Sequence, residues 1–163
     1  FTDNISQGDI LYLDAEAYLS ENSSPKSRHH QNRRIVMQGI TGVNERYRLK
    51  MALSEQGVFC ANSVNYLLIS DAEIEFFLGL CNSRLLNWFF AKLSTNSNVN
   101  GYEVDNLPVK IPCESKKQEI AALVRSLLSN ASDMTANNQL NSLIYEIYGL
   151  NSEQIEVVEN SYN

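Results

Sequence analysis

Between positions 26 and 50 the chain carries Lys26, Arg28, Arg33, Arg34, Arg46, Arg48 and Lys50 against a single acid, Glu45. Cations concentrated in this way suit phosphate binding. From Glu45 to Leu53 the pattern alternates, which predicts Arg46, Arg48 and Lys50 on one side of a half-buried strand and Tyr47, Leu49 and Met51 on the other. Residues two apart on a strand lie roughly 7 Å apart, close to the phosphate spacing along one DNA strand. Arg33 and Arg34 would come from a neighbouring strand together with Gln38. In the major groove arginine pairs bidentately with guanine and glutamine with adenine, so this set can both anchor and read. Asn62, Ser63 and Asn65 lie in a turn, where they can hydrogen-bond base edges or satisfy the turn's own backbone. The asparagine-rich stretch from Ser94 to Glu103 has the same two readings, a reading loop or a solvated connection. The basic stretch as a whole also suits a solvated, charge-rich face.

Other chemistry finds little material. His29 and His30 are adjacent, so their side chains diverge, and no nearby Cys or Glu completes a metal set; solvation at the surface is the expectation for both. Gln38-Gly-Ile-Thr-Gly42 lacks the lysine and the spacing of a phosphate-binding loop. A Ser–His–Asp arrangement would have to recruit the histidine loop. No catalytic residue, metal site or cofactor site is expected in this chain.

The frame that must hold these residues is ordinary in composition, with 44% hydrophobic and 20% charged residues and a net charge of −6. That excludes wholesale disorder and argues against an indiscriminate nucleic-acid binder. No apolar run reaches the roughly 20 residues of a membrane span, and no signal peptide is recognisable. Cys60, Cys81 and Cys113 are three and widely spaced, which predicts free, buried thiols in a cytoplasmic protein. The first residue is Phe1, not Met, which suggests a piece of a longer polypeptide.

Strands are expected at residues 9 to 13, at Arg34 to Gln38, across Glu45 to Leu53, and from Val64 to Ile69, separated by glycine turns. Residues 20 to 32, apolar only at Pro25, read as an exposed and mobile loop. Ser70 and Glu73 form a capping-box pattern before a single long helix, residues 73 to 90. Its stripe is Ile74, Phe77, Leu78, Cys81, Leu85, Trp88 and Phe89, with Gly79 allowing close helix packing. Leu107 to Pro112 must be extended because of its two prolines. Ser115 and Gln118 cap the next helix, with stripe Ile120, Leu123, Val124, Leu127 and Leu128. Leu140, Leu143, Ile144, Ile147 and Tyr148 stripe another, which stops at Gly149. A short helix from near Asn151 closes the chain. The fold class is therefore α/β in the broad sense, more narrowly α+β: a twisted, mainly antiparallel sheet with packed helices and a helical C-terminal tail.

The succession Arg34-Ile-Val-Met-Gln-Gly-Ile-Thr-Gly42, Arg46-Tyr-Arg-Leu49, Gly57-Val-Phe59 and Ala61-Asn-Ser-Val-Asn65 resembles the TaqI-like C-terminal specificity domain. This is the DNA-target-recognition module of type II restriction-modification enzymes and related adenine-specific DNA methyltransferases. The resemblance continues through Phe77 to Asn87, with its Asn-Ser core, through Leu107-Pro-Val-Lys-Ile-Pro112, and through Leu140 to Leu150. It covers about residues 33 to 158.

The resemblance implies a target-recognition domain over residues 1–112 and a helical segment packed on it over 113–163. It implies duplex DNA as partner; of the residues singled out above, Arg33, Arg34, Arg46, Arg48 and Lys50 would anchor phosphates or guanines, with Gln38, Asn62, Ser63 and Asn65 as candidate readers. A linked upstream methyltransferase domain would hold S-adenosylmethionine and an Asn-Pro-Pro-Tyr motif, with Mg in a nuclease where one is present; neither signature occurs here. A protein-interaction module docking a partner subunit through its helices is the alternative.

Overall fold

The computed structural model describes residues 13–61 and 63–162. Most of the strand expected at 9 to 13 lies outside them. In chain order the elements are α1 (Ala15–Glu21), a 3₁₀ turn (Pro25–Gln31), β1 (Arg34–Gln38), β2 (Met51–Ser54), β3 (Val64–Leu67), α2 (Ile74–Asn82), α3 (Arg84–Leu93), α4 (Gly101–Asp105), α5 (Glu114–Ser129), α6 (Met134–Tyr148) and α7 (Ser152–Glu159). The expected class holds: an antiparallel sheet in the order β2-β1-β3, with packed helices and a helical C-terminal region.

Residues 20 to 32 depart from expectation. Asn22 caps the end of α1, and the 3₁₀ turn that follows packs instead of standing free. The buried Ser27 hydroxyl donates to the carbonyls of Asn22 and Ser24. A ring nitrogen of His29 lies 2.9 Å from the Tyr66 hydroxyl, and His30 stacks on Phe59 at 4.2 Å. The two histidines thus fix a connection across one face of the sheet and are not simply solvated.

Period-two alternation puts Ile35 and Met37 of β1 in the core, opposite Leu67 and Asn65 of β3. The run from Glu45 to Leu53 is different. The ladder begins only at Met51, and Arg48 and Leu49 are both buried, which no two-faced strand allows. The reason lies in where the backbone groups find partners. Asn87 Oδ1 accepts from the Leu49 amide at 2.8 Å, and its Nδ2 donates to the Leu49 carbonyl at 3.2 Å. Asn82 does the same for Met51, at 3.0 and 2.9 Å. Two carboxamides therefore stand where a fourth strand would pair.

Those asparagines bracket a break in the expected single helix. Ser83 is extended (φ −63°, ψ 153°), and it closes α2 while capping α3. Its hydroxyl donates to the Leu80 carbonyl at 2.7 Å and accepts from the Leu86 amide at 3.2 Å. The capping box at Ser70 and Glu73 does not form. Glu73 makes no side-chain cap, and its carboxylate pairs with Lys117 at 3.1 Å. The apolar stripe survives the break in part: Ile74, Leu78, Cys81 and Leu85 are buried, Phe77, Trp88 and Phe89 only partly so, and the core is filled as well by Phe76, Leu80, Leu86 and Phe90, because the break rotates α3 relative to α2.

Helix α2 lies against β1 and β2 on one side and against α5 on the other, while α3 meets α6 and α7. A Cβ on Gly79 would sit 2.6 Å from Val124, so the close crossing of α2 and α5 needs a bare Cα there. Helix α5 starts at Glu114 behind Cys113, slightly ahead of the expected Ser115 cap. Leu107 to Pro112 forms no helix and no strand, and it is not extended throughout: Leu107 bends, and the Val109 amide donates to the Leu107 carbonyl at 2.8 Å across Pro108. Gly149 ends α6 in the left-handed region (φ 72°), and Asn151 with Gln154 forms a capping box on α7. Among the described residues no helix is long and apolar enough to cross a membrane. All three cysteines are free, but only Cys81 is buried; Cys60 is half-buried and Cys113 exposed.

Removing the Asn87 carboxamide strands a buried N–H and a buried C=O. Asn87→Ala should cost about 2 to 5 kcal/mol in urea unfolding, and a loss under about 1 kcal/mol would show that the clamp is dispensable. Gly79→Ala should destabilise by about 1 to 3 kcal/mol through overpacking, the opposite sign from a Gly→Ala change on an exposed helix face. Burial pushes the Cys81 thiol up to about 12, whereas the Ser115 hydroxyl beside Cys113 holds that thiol below its ordinary value. Iodoacetamide should therefore label Cys113 in the folded protein, from a lower pH than a free thiol, and reach Cys81 only on unfolding. Equal labelling rates at the two sites would contradict this arrangement.

Candidate nucleic-acid interface

The cations expected to share one face are dispersed. Arg33 is enclosed by carboxylates, with Glu55 at 3.3 Å, Glu75 at 3.5 Å and Asp71 at 3.8 Å. Arg34 is buried, donating to the Val58 carbonyl with its guanidinium 5.0 Å above the Tyr66 ring. Lys50 pairs with Glu45. Arg46 is exposed and donates to the Tyr162 carbonyl at 2.8 Å. Alternation fails as a guide because the run before Met51 has no partner strand among the described residues to keep it flat.

Arg48 is the largest departure. It is 1% exposed, it lies 5.1 Å from the Phe90 ring centre, and its two terminal nitrogens donate to the carbonyls of Ser94, at 2.7 Å, and Asn96. A planar guanidinium suits such a pair of acceptors, since both bonds are charge-assisted and share one fixed fork. The side chain ties the segment after α3 to the core and presents nothing to a phosphate in this arrangement.

The expected readers divide. Gln38, at the end of β1, and Ser63 are exposed. Asn65 turns inward, and its amide donates to the Val99 carbonyl at 2.8 Å. Asn62 lies outside the described residues.

Beyond Gln38 the chain runs on beside residues 97–99. The Gly39 amide donates to Ser63 O at 2.9 Å, the Val99 amide to Gly39 O at 2.9 Å, and the Thr41 amide to Ser97 O at 2.8 Å. Ile40 and Asn98 face each other across an isolated antiparallel bridge. A Cβ on Gly39 would lie 2.7 Å from Ser63 O, so the crossing admits only glycine without a shift. The result is a polar rim at one end of the sheet, made of Gln38, Ser63, Asn96, Ser97 and Asn98, around an Ile40 that is 66% exposed. Sequence reasoning found Gln38 and Ser63 but did not join them to Asn96–Asn98. The pairing spans nearly sixty positions, and the Gly39–Ile40 step was its sole local trace.

A groove of about 610 Å³ lies elsewhere, along α3, α6 and α7. Its charges are spent internally: Arg84 donates to both carboxylate oxygens of Glu159, at 3.0 and 2.8 Å, and the Tyr145 hydroxyl donates to the same group at 2.6 Å. Burial and the neighbouring carboxylate together raise the Tyr145 phenol well above its ordinary value. This network secures α7 to the body of the protein.

Arg46 and Arg48 should respond differently to charge reversal. Arg48→Glu places a carboxylate among buried carbonyls and should cost about 3 to 5 kcal/mol, as an uncompensated buried charge does. Arg46→Glu should leave the melting temperature unchanged. Equal stabilities of the two variants would mean that Arg48 is not held as described.

Residues 4–109 match the model of the TaqI-like C-terminal specificity domain. No curated protein matches the sequence. Among solved structures, the type IIL restriction-modification enzyme MmeI, in a structure with DNA, superposes with a TM-score of 0.63 at 13% identity. The match covers 91% of this chain and 25% of that one, so the fold described here corresponds to about a quarter of the larger enzyme. With well over half of its length matched, the chain belongs to the family of TaqI-like C-terminal specificity domains.

Proposed function

We propose that this chain is the sequence-specific duplex DNA recognition module of a restriction-modification enzyme. The observation that carries the reading is the family match over residues 4–109. The open rim of exposed polar side chains supports it. So does the fold shared with MmeI, a restriction-modification enzyme whose structure holds DNA. In this reading the chain performs no chemistry. It positions a linked adenine-specific methyltransferase domain that holds S-adenosylmethionine, together with a Mg-dependent nuclease where the parent cleaves DNA. Such a parent works in the cytoplasm, where DNA and reduced thiols coexist.

Phosphate anchoring falls to the cations that pair with no carboxylate among the described residues. Arg46 is one, and the exposed Lys26, Arg28 and Lys92 add to the supply. Gln38 and Ser63 are the readers at the rim. Arg33, Arg34, Arg48 and Asn65 serve the fold instead, which suits a chain of net charge −6. An acidic body with few free cations binds DNA weakly unless bases are also read, so affinity and sequence choice become linked.

The salt dependence tests this economy of contacts. If all seven cations of the basic stretch met phosphates, log affinity would fall with log salt at a slope near −6. The full chain, titrated against fluorescent duplex DNA at low salt, should instead give a slope no steeper than about −4. No detectable binding at low salt would remove the DNA reading and favour docking of a protein partner. Incubation with labelled S-adenosylmethionine and mixed DNA should transfer no methyl group; reproducible adenine methylation would overturn the non-catalytic assignment.

A further inference from the structure

The segment leaving α3 is held more firmly than a simple connection requires. Arg48, itself buried, grips the Ser94 and Asn96 carbonyls, and the Asn65 amide grips Val99 O. Backbone bonds from Thr41 and Val99 fasten the same segment to residues 39–41. Within it, Asn96 Oδ1 accepts from the Asn98 amide at 2.8 Å, which closes a tight turn. Ordering a surface loop costs conformational entropy, and here a buried charge is committed to it as well.

What this scaffold holds out is specific. The Asn98 side chain is exposed and has no hydrogen-bond partner among the described residues, and the same is true of Gln38. Between them stands Ile40, a large apolar side chain 66% exposed and paired with Asn98 across the bridge. A carboxamide offers one donor and one acceptor side by side, which match N6 and N7 of adenine in the major groove; the thymine of the same pair offers a methyl group to an apolar neighbour. Two free carboxamides flanking an exposed isoleucine therefore fit A·T base pairs.

Resting on the DNA-recognition reading, we propose that Asn98 and Gln38 read A·T pairs in the major groove with Ile40 against a thymine methyl, and that Arg48 is a positioning residue holding the Asn96–Asn98 turn in register. Arg48 touches no DNA in this arrangement. It fixes Asn98 before binding, so that the contact forms without first ordering the loop.

The test uses the full chain and a library of randomised duplex DNA. Selection should enrich a sequence containing A·T pairs. Against that duplex Asn98→Ala should lose about 5- to 150-fold in affinity and stop discriminating at one A·T position, with Gln38→Ala behaving likewise at another. The salt slope should not change, because neither residue meets a phosphate. Arg48→Lys should weaken binding of the enriched duplex, yet add little in an Asn98→Ala background, since it acts through that residue. Failure of the wild type to enrich any sequence would remove the DNA reading and this proposal with it. If the wild type selects a sequence and both alanine variants select the same one with equal affinity, the DNA reading stands and the assignment of these readers falls. Fully additive effects of Arg48→Lys and Asn98→Ala would reduce Arg48 to general stability. Should the lysine variant not fold, Asn98→Ala, which has no side-chain partner to lose, still decides the readers.

Discussion

The architecture turns on two carboxamides that satisfy a strand edge. Leu49 and Met51 carry backbone groups buried beside α2 and α3, and among the described residues the small three-stranded sheet has no further strand to offer them. Asn87 and Asn82 supply a donor and an acceptor each, in the alternation that a neighbouring strand would have supplied. An unpaired buried amide or carbonyl costs on the order of 1 to 3 kcal/mol, so the four bonds decide whether helices can close over this edge at all. They also fix the rotation of α2 and α3 against the sheet, since both asparagines flank Ser83, where the helix axis breaks. The docking of α5 through Gly79 and the seating of α6 behind it follow from that placement.

The same constraint disposes of the basic stretch. Once Leu49 and Met51 are gripped from the helical side, the residue between Tyr47 and Leu49 is drawn inward, and Arg48 finds carbonyls in place of solvent. Arg33 and Arg34 meet a carboxylate cluster and an aromatic face for a related reason, as they lie where the 3₁₀ turn and the loop around Gly57 cover the sheet. All five cations expected to act as anchors thus hold a partner within the protein, and the polar rim at the end of the sheet carries little formal charge.

Much of this was legible in the residues. The stripes of α5 and α6, apart from Leu128 which stays exposed, and the αL glycine after α6 each follow a local rule, and local rules survive folding. Legibility failed where a local pattern was outbid by a distant partner. Alternation over Glu45–Leu53 was real, but the Asn87 clamp over-rode it from 38 positions away. Ser70 and Glu73 had the spacing of a capping box, but Lys117 took the glutamate. The histidines looked solvated because Tyr66 and Phe59 are remote in sequence. At the rim, Gln38 and Ser63 could be picked out by type, whereas Asn98 gained its place only through a bridge to Ile40.

The rim also separates two kinds of inheritance. Gln38 and Asn98 project side chains that the fold does not use, and surface substitutions of that kind leave stability nearly unchanged. The clamp asparagines and Arg48 sit one layer beneath, where a replacement strands buried polar groups and destabilises the fold. A lineage could therefore drift through many different outward residues while keeping one chassis, passing from one preference to another without an unstable intermediate. The separation places the freedom to diversify in a handful of side chains and withholds it from everything that carries them.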